Sequence, residues 1–504
     1  MVATTGVIAA GDPRTADAGA EILRAGGNAV DAVVAAACTA FVAEVPLCGP
    51  GGSGVLLAGT ADDLRVLDFF AAVPGRGLAA RPTLDFHDVT VDFGPTVQIF
   101  HVGRAAAAVP GTMFGLLEAH RRLGRLPLPV LVEPAVALAR AGCTPSAQLA
   151  FIIGLLEPIV ELTPATHALF VRDGQIFLAN PRLADFLEAF AEEGEALLRG
   201  PLAQALLDAL GPAQGGLLTA EDLEHYAPVW RTPLRVTRGH DQIFTIPPPS
   251  SGGPLVGLGL QLSADVPLAD LPWLGPRHVC ELAALLAAMD GARGRVGPSG
   301  VTPEVLEAAR AVQQRRTLGS TTHISVLDGE GQLAALTMSN GEGCGHTLEG
   351  LGIHVNNFLG EEDINPQGFH RQPPGTWMTT MMAPTAVLHD GRPALVLGTG
   401  GSNRIRSALL LSLLHALGSR RSLEEAVVAP RMHVEGDRLW YERADLPPEA
   451  EAALRRAWPG ATVFEQRNMF FGGVHAVGAR DGLRGVGDAR RGGAVRSVGV
   501  PGPG

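Results

Sequence analysis

Two short segments of this 504-residue chain carry residue types that can do acyl-transfer chemistry. Thr321 and Thr322 stand where a polar region gives way to an apolar strand pattern. A threonine hydroxyl becomes a nucleophile when a nearby base removes its proton. The run LGTGGSNR (397–404) predicts a strand, a glycine turn and a helix. Such a turn points backbone N–H groups at an anion or at a developing oxyanion.

A third group of polar residues consists of Thr379, Thr380 and the acidic run 361–363. All three groups also have ordinary structural explanations. Threonines are common where strands begin, paired glycines are common between a strand and a helix, and hydroxyl and acidic side chains are common in exposed loops. Taken separately, these residues do not select a function.

The surrounding hydrophobic pattern predicts an α/β chain whose strands are concentrated in its last third. Ile324 and Val326 share one face of a hairpin that turns at 329–331 and returns through 333–339. We expect the tail from Val486 to be irregular, because it is rich in glycine and arginine. Helices are predicted at 13–23, 28–45, 110–122, 127–140, 278–289 and 303–316 and after Arg404, and further strands at 55–58, 64–70, 385–388 and 394–397 and around Leu234 and Phe244.

Charge excludes one class of partner. The chain has 39 basic and 51 acidic residues, a net charge of −12, and every basic residue other than histidine is an arginine. Binding to a nucleic-acid backbone requires a positive surface, and no long basic stripe is present. We therefore expect no nucleic-acid partner.

The five cysteines form no CxxC pair and the histidines form no HExxH motif, so we expect no metal and no cofactor. The most apolar run, 29–47, is interrupted by Asp31 and Glu44 and predicts a buried helix rather than a membrane span. No signal peptide precedes Val7, which predicts a cytoplasmic protein. A trimmed N-terminus would look the same, so a periplasmic or secreted location stays open.

Eight segments together resemble the γ-glutamyltranspeptidase (glutathione hydrolase) family, in that family's order and with similar spacing. The resemblance spans nearly the whole chain. The segments are ILRAGGNAVDAVVAAA, VPGTMFGLLEAHRRLGRLPLPVLVEPAVALARAG, GGLLTAEDLEHY, PPPSSGG, TTHISVLDGEGQLAALT, the NN pair at 356–357, TTMMAPT and LGTGGSNRI.

The resemblance implies an N-terminal-nucleophile fold, a four-layer αββα sandwich made as a precursor that cuts itself once. The cut would fall between Ser320 and Thr321. It would give a large subunit, 1–320, and a small subunit, 321–504, which remain together as one heterodimeric body. The new α-amine of Thr321, with an ordinary pKa of roughly 8, would then be the base for its own hydroxyl.

The resemblance also implies roles for other residues. Ser339 would hydrogen-bond the nucleophile, and Gly400 and Gly401 would donate N–H groups to the oxyanion. A register fixed on Arg404 would move that pair to Gly401 and Ser402. Thr379 and Thr380 would hold a substrate α-carboxylate, and Glu361 would bind its α-amino group.

Several positions depart from the family's pattern. Phe70 stands where the family has the arginine that clamps the α-carboxylate, and Arg76 and Arg371 are the candidate replacements. The asparagine expected two positions after Ser339 is displaced to Asn340, with Gly341 in its place, and Phe358 replaces a polar residue near the α-amino site. The segment from 363 to 377 is short, which predicts that the lid loop of some members is missing.

Three functions follow from these observations. The first is a self-processing hydrolase or transferase that acts on γ-glutamyl amides such as glutathione and passes the acyl group to water or to an amine. The second keeps the nucleophile and changes the acyl group, as in an acylase for glutaryl or β-lactam side chains. The third is a relative that has lost processing and only binds.

Overall fold

Two antiparallel sheets lie face to face at the centre of the molecule, and helices cover both outer faces. The computed structural model describes residues 2–92, 97–292, 321–365 and 367–500. In spatial order, the first sheet is Ala494–Val498, Gly6–Ala10, Thr322–Asp328, Leu333–Ser339, Ser53–Thr60, Asp63–Phe69 and Val229–Arg231. The second sheet is Arg484–Gly487, Gly473–Gly478, Arg392–Gly400, Thr385–His389, Asp241–Thr245 and Leu234–Arg238.

Strand alternation produces two separate cores. In the strand Thr322–Asp328, Ile324 and Val326 pack against the helices outside the first sheet, as predicted. His323 and Ser325 face the second sheet, where the Ser325 hydroxyl donates to the carbonyl of His475 over 3.0 Å. The resulting order of helix, sheet, sheet and helix is the four-layer αββα sandwich that the resemblance implies.

The helices form the two outer layers and the long connections between strands. The predicted buried helix is Ala29–Ala43, in which every residue is buried. The other helices in the described residues are Pro13–Arg24, Thr112–Leu123, Leu128–Ala141, Ala147–Leu155, Glu157–Val160, Pro164–Phe170, Pro181–Glu193, Glu195–Leu197, Ala203–Leu210, Ala220–His225, Gly252–Leu262, Pro276–Gly291, Arg404–Leu413, Leu423–Val428 and Pro448–Ala457.

In the described part of the chain, four small sheets lie outside the central pair. Their strands are His87–Asp92 with Val97–Val102, Val171–Arg172 with Gln175–Ile176, Thr347–Leu348 with Ile353–His354, and Met432–Glu435 with Arg438–Glu442 and Thr462–Phe464.

Two sequence expectations about the strands are wrong. The tail is regular rather than loose, because Ala494–Val498 pairs with Gly6–Ala10 at the edge of the first sheet. The strands are not concentrated in the last third, since the first sheet also takes Ser53–Thr60 and Asp63–Phe69. The predicted helix 303–316 lies outside the described residues, as does Ser320.

Within the described ranges, no helix has the length and apolarity needed to cross a bilayer. Over the same ranges, no group of three or more histidine, cysteine, aspartate or glutamate side chains is arranged to hold a metal ion.

A buried carboxylate joins the start of the Ala29–Ala43 helix to the loop 124–126. Asp31 accepts hydrogen bonds from the backbone N–H groups of Asn28 at 3.0 Å, Arg125 at 2.9 Å and Leu126 at 3.2 Å. Asp31→Ala leaves these three donors without their acceptor, and we expect it to destabilise the protein by at least about 3 kcal/mol. Thermal unfolding measures this effect. The exposed Asp62→Ala is the control, and equal melting temperatures for the two variants would contradict the prediction.

Candidate active site

A tight hairpin places Thr321 opposite Ser339. The strands Thr322–Asp328 and Leu333–Ser339 pair with Thr322 opposite Met338, so the next residues outward face each other. The Thr321 Oγ1 lies 3.5 Å from the Ser339 Oγ, which also accepts the backbone N–H of Gly341 at 2.9 Å. Thr321 is 5% exposed. The two hydroxyls therefore share one nearly enclosed space at the end of the first sheet.

The second sheet meets the first at Gly400. A Cβ atom at this position would lie 1.9 Å from the carbonyl oxygen of Thr321, so only glycine fits there without displacing Thr321. The same carbonyl accepts a hydrogen bond from Nη1 of Arg491 at 3.2 Å. Burial lowers the pKa of Arg491 to about 10, which leaves its guanidinium charged at neutral pH. Thr321 is thus fixed through its backbone from two sides.

After Gly400 the chain turns sharply into the helix Arg404–Leu413. Gly401 and Ser402 have positive φ values of 127° and 48°. The Ser402 hydroxyl donates to Asp363, and the Asn403 side-chain amide donates to the same carboxylate at 2.9 Å. Ser402 lines the cavity that contains Thr321. The predicted strand, glycine turn and helix are all present, and the turn forms one side of this cavity.

The proline-rich turn before Gly252–Leu262 supports the threonine pair. The Thr380 carbonyl accepts hydrogen bonds from the Ser250 hydroxyl at 2.8 Å and from the N–H groups of Ser251 and Gly252 at 3.0 and 3.2 Å. The Thr379 hydroxyl donates instead to the carbonyl of Pro249 at 3.0 Å. Thr380 and Ser251 line the cavity with Thr321. The structure thus brings Thr380 to the site and holds Thr379 against the turn.

Part of the wall of this cavity is apolar. Phe70 and Phe358, which both replace polar residues of the family's pattern, are in direct contact with ring centroids 4.9 Å apart. Both side chains are buried, and both line the cavity. The other apolar lining residues are Ile364, Met381, Met382 and Ile405. Phe70 and Phe358, the two departures from the family's pattern, therefore form one apolar surface of the cavity.

Glu361 and Asp363 supply the acidic groups of the cavity. The Oε1 atom of Glu361 is buried without a hydrogen-bond partner. Burial, with additional repulsion from Glu342 and Asp363, raises the pKa of Glu361 well above its ordinary value. A carboxyl in this state gains most from a ligand that brings a positive charge or a hydrogen-bond donor.

Three sequence-predicted binding residues lie elsewhere. Asn340 is buried and lines a different cavity beside His354, whose carbonyl its side-chain amide contacts at 3.3 Å. The Arg76 guanidinium packs against Gly375, and Arg371 is exposed. None of the three is among the described residues that line the Thr321 cavity. Sequence reasoning missed Ser251 in this lining, although it belongs to the PPPSSGG motif.

Glu44 is a second functional candidate that the sequence did not single out. Its buried carboxyl accepts hydrogen bonds from the Thr15 hydroxyl at 2.6 Å and from the Thr322 hydroxyl, one residue after Thr321. Burial raises the pKa of Glu44 to about 7, and the two hydroxyl contacts offset only part of this rise. The carboxyl therefore links the helix Pro13–Arg24 to the start of the strand that carries Thr321.

This raised pKa predicts a pH-dependent stability. Between about 4.5 and 7 the folded protein binds the Glu44 proton more tightly than the unfolded chain does, so this contribution is complete at acidic pH and is lost as pH rises through 7. Its size is roughly 3 kcal/mol. The melting temperature of the protein should fall between pH 5 and pH 8, and in Glu44→Gln we expect this fall to be smaller by several degrees. Exposed Glu21→Gln is the control, and an unchanged loss in Glu44→Gln would contradict the assignment.

Comparison with known proteins agrees with this geometry. The sequence profile of the family described as Gamma-glutamyltranspeptidase matches residues 15–284 and 285–498. The chain is 31% identical over 482 residues to the Acylase ACY 1 proenzyme of Pseudomonas sp. (strain V22), covering 90% of this chain and 86% of that protein. It is 29% identical to the Glutathione hydrolase proenzyme of Pseudomonas aeruginosa, covering 94% and 90%.

The fold has a close match among solved structures. The crystal structure of cephalosporin acylase from Bacillus halodurans superposes with a TM-score of 0.82 at 23% identity, covering 98% of this chain and 96% of that one. The family profile matches most of the chain. The two relatives described above are both named as proenzymes, that is, as enzymes made as precursors. The chain is an enzyme that belongs to the gamma-glutamyltranspeptidase family.

Proposed function

We propose that the protein is a self-processing amidohydrolase and acyltransferase whose nucleophile is the hydroxyl of Thr321. One observation carries the proposal: this hydroxyl lies in a cavity between Ser339, at 3.5 Å, and the turn that contains Ser402. The proenzyme names of the relatives support a precursor that is cut into two chains. Cleavage before Thr321 divides the protein into subunits 1–320 and 321–504. They stay together because Thr322–Asp328 pairs with Gly6–Ala10 and Leu333–Ser339 pairs with Ser53–Thr60.

The chemistry follows from the new chain end. Once the peptide bond before Thr321 is broken, its α-amine removes the proton of its own hydroxyl as the oxygen attacks the substrate carbonyl. The amide C–N bond then breaks, an ester forms on Thr321, and the leaving amine takes the proton. Water or a second amine attacks the ester, receives the acyl group and restores the threonine.

Two groups assist this attack. Ser339 accepts both the Thr321 hydroxyl, at 3.5 Å, and the N–H of Gly341, at 2.9 Å, so it holds the nucleophile in place. Backbone N–H groups of the glycine turn stabilise the oxyanion, an effect worth roughly 10²–10³ in rate for each donor. The position of Ser402 in the cavity lining supports the pair Gly401 and Ser402, whereas Gly400 supports the Thr321 backbone.

Two kinds of acyl group are candidates for the one that Thr321 accepts from the substrate. The glutathione hydrolase relative favours a γ-glutamyl group, which Glu361 would bind through its α-amino group. The contact between Phe70 and Phe358 favours an acylase, because it places an apolar wall where a γ-glutamyl substrate would need a cation. The acylase relative supports the same choice. We therefore rank the acylase first and the γ-glutamyl hydrolase second.

Self-processing is tested with variants of Thr321. A denaturing gel of the mature protein should show bands of about 33 and 19 kDa, in proportion to 320 and 184 residues of a 52.4-kDa chain. Thr321→Ala removes the nucleophile, so we expect one uncut chain and at least a 10³-fold loss of amide hydrolysis. Thr321→Ser keeps a hydroxyl and should still be cut. N-terminal sequencing of the small subunit should give Thr-Thr-His-Ile, and any other end would contradict the proposal.

A further inference from the structure

The ionisable side chains among the described residues that line the Thr321 cavity are both carboxyl groups. Among the described residues that line it, Glu361 and Asp363 are the charged ones, and no arginine or histidine is among them. The remaining polar lining consists of hydroxyl groups, from Ser251, Thr321, Ser339, Thr380 and Ser402. A substrate carboxylate in this cavity would meet two acidic side chains, and the described lining residues offer it no arginine or histidine.

The arginines nearest to the cavity are engaged with the protein itself. Arg491 donates to the Thr321 carbonyl. Arg404 donates through Nε to the carbonyl of Phe470 at 3.0 Å, and its guanidinium lies over the Phe470 ring at 5.0 Å from the centroid. Arg404 is also attracted to the acidic groups of Asp363 and Glu435, so both arginines are already held by groups of the protein.

Asp363 and Glu361 differ in whether their carboxyl groups already have hydrogen-bond donors. Asp363 receives donors from Ser402 and Asn403, whereas the buried Oε1 of Glu361 has no partner. Glu361 also stands close to Gly341, where a Cβ would lie 2.4 Å from that same oxygen. An ammonium group brought by a substrate would supply the charge and the hydrogen-bond donors that Glu361 lacks.

The apolar wall determines which chemical groups the rest of the acyl group can contain. Phe70 and Phe358 pack together beside Ile364 and Met381, which gives methylene groups a surface away from water. Burying a carboxylate against this wall without a partner is unfavourable because the charge loses its hydration, while burying methylenes is favourable. The wall therefore selects against a substrate carboxylate and in favour of a methylene chain.

We propose that the acyl group taken by this cavity carries an amino group and no carboxylate. This inference rests on the proposed function, in which Thr321 accepts the acyl group from an amide. The bonds made and broken are those given above: the amide C–N bond is exchanged for an ester C–O bond, and water then releases the free amino acid. Glu361 binds the amino group, and Phe70 with Phe358 contacts the methylene chain.

Four p-nitroanilides test the proposal with the mature enzyme. The γ-glutamyl, 4-aminobutyryl, glutaryl and butyryl compounds have the same chain of four carbons and differ in whether the fourth carbon carries an amino group, a carboxylate, both or neither. We expect kcat/KM to be highest for 4-aminobutyryl, roughly 10- to 100-fold above butyryl, the range of a charge-assisted hydrogen bond. Glutaryl should be the poorest substrate, and γ-glutamyl should fall below 4-aminobutyryl.

The outcomes separate this inference from the proposed function. A higher kcat/KM for γ-glutamyl than for 4-aminobutyryl, or equal values for 4-aminobutyryl and butyryl, would overturn the inference while leaving Thr321 as the nucleophile. No release of p-nitroaniline from any compound above the Thr321→Ala blank would overturn the proposed function itself.

Two variants identify the residues responsible. Glu361→Gln removes the acidic partner, so the preference for 4-aminobutyryl over butyryl should fall to about one, whereas the exposed neighbour Glu362→Gln should keep it. Phe70→Arg adds a cation to the wall and should raise kcat/KM for γ-glutamyl and glutaryl relative to 4-aminobutyryl. An unchanged substrate ranking in both Glu361→Gln and Phe70→Arg would assign the selectivity to other residues and contradict the proposal.

Discussion

The close approach of two backbones, Thr321 and Gly400, is the constraint on which the site depends. An inner strand of each sheet ends there without an intervening side chain, since a Cβ on Gly400 would lie 1.9 Å from the Thr321 carbonyl oxygen. Because the strand ends at that contact, the chain must turn immediately, and the turn at 401–402 begins the helix Arg404–Leu413. The contact therefore positions the hydroxyl, the adjacent N–H groups and the helix together.

Part of this arrangement could be predicted from sequence because it is local. Alternation in 324–326 and the glycine turn at 329–331 determine the hairpin register, and the register alone places Ser339 opposite Thr321. The strand, turn and helix of 397–404 are equally local. The position of Ser402 in the cavity lining is not local in this sense. It follows from two successive positive φ angles, at Gly401 and Ser402, which the residue pair GS does not specify.

The rest of the site depends on contacts between distant segments. The lining comes from residues near 70, 251, 358–364, 380–382 and 402–405, and no periodic pattern relates these positions. Glu44 and Arg491 lie 277 and 170 residues from Thr321 along the chain. Each contacts the start of the strand Thr322–Asp328 only because another element packs against that strand. Sequence patterns indicate what such residues are, and only the packing of the two sheets determines what they touch.

The composition of the chain helps to explain why the described lining residues of the cavity include no cation. Every fixed positive charge is an arginine, and several buried arginines near the second sheet are required by buried acids: Arg490 pairs with Glu442 and Asp488, and Arg431 pairs with Asp488 at 2.6 Å. Removing one partner from such a pair costs about 3–5 kcal/mol, because the other charge stays buried. Redirecting one of these arginines to a substrate carboxylate would therefore weaken the fold that holds Thr321 in place. Among the described lining residues, Phe70 and Phe358 occupy the positions where a carboxylate clamp would stand. Because the two rings are in contact, the selectivity of the cavity and the packing of its wall depend on the same pair of side chains.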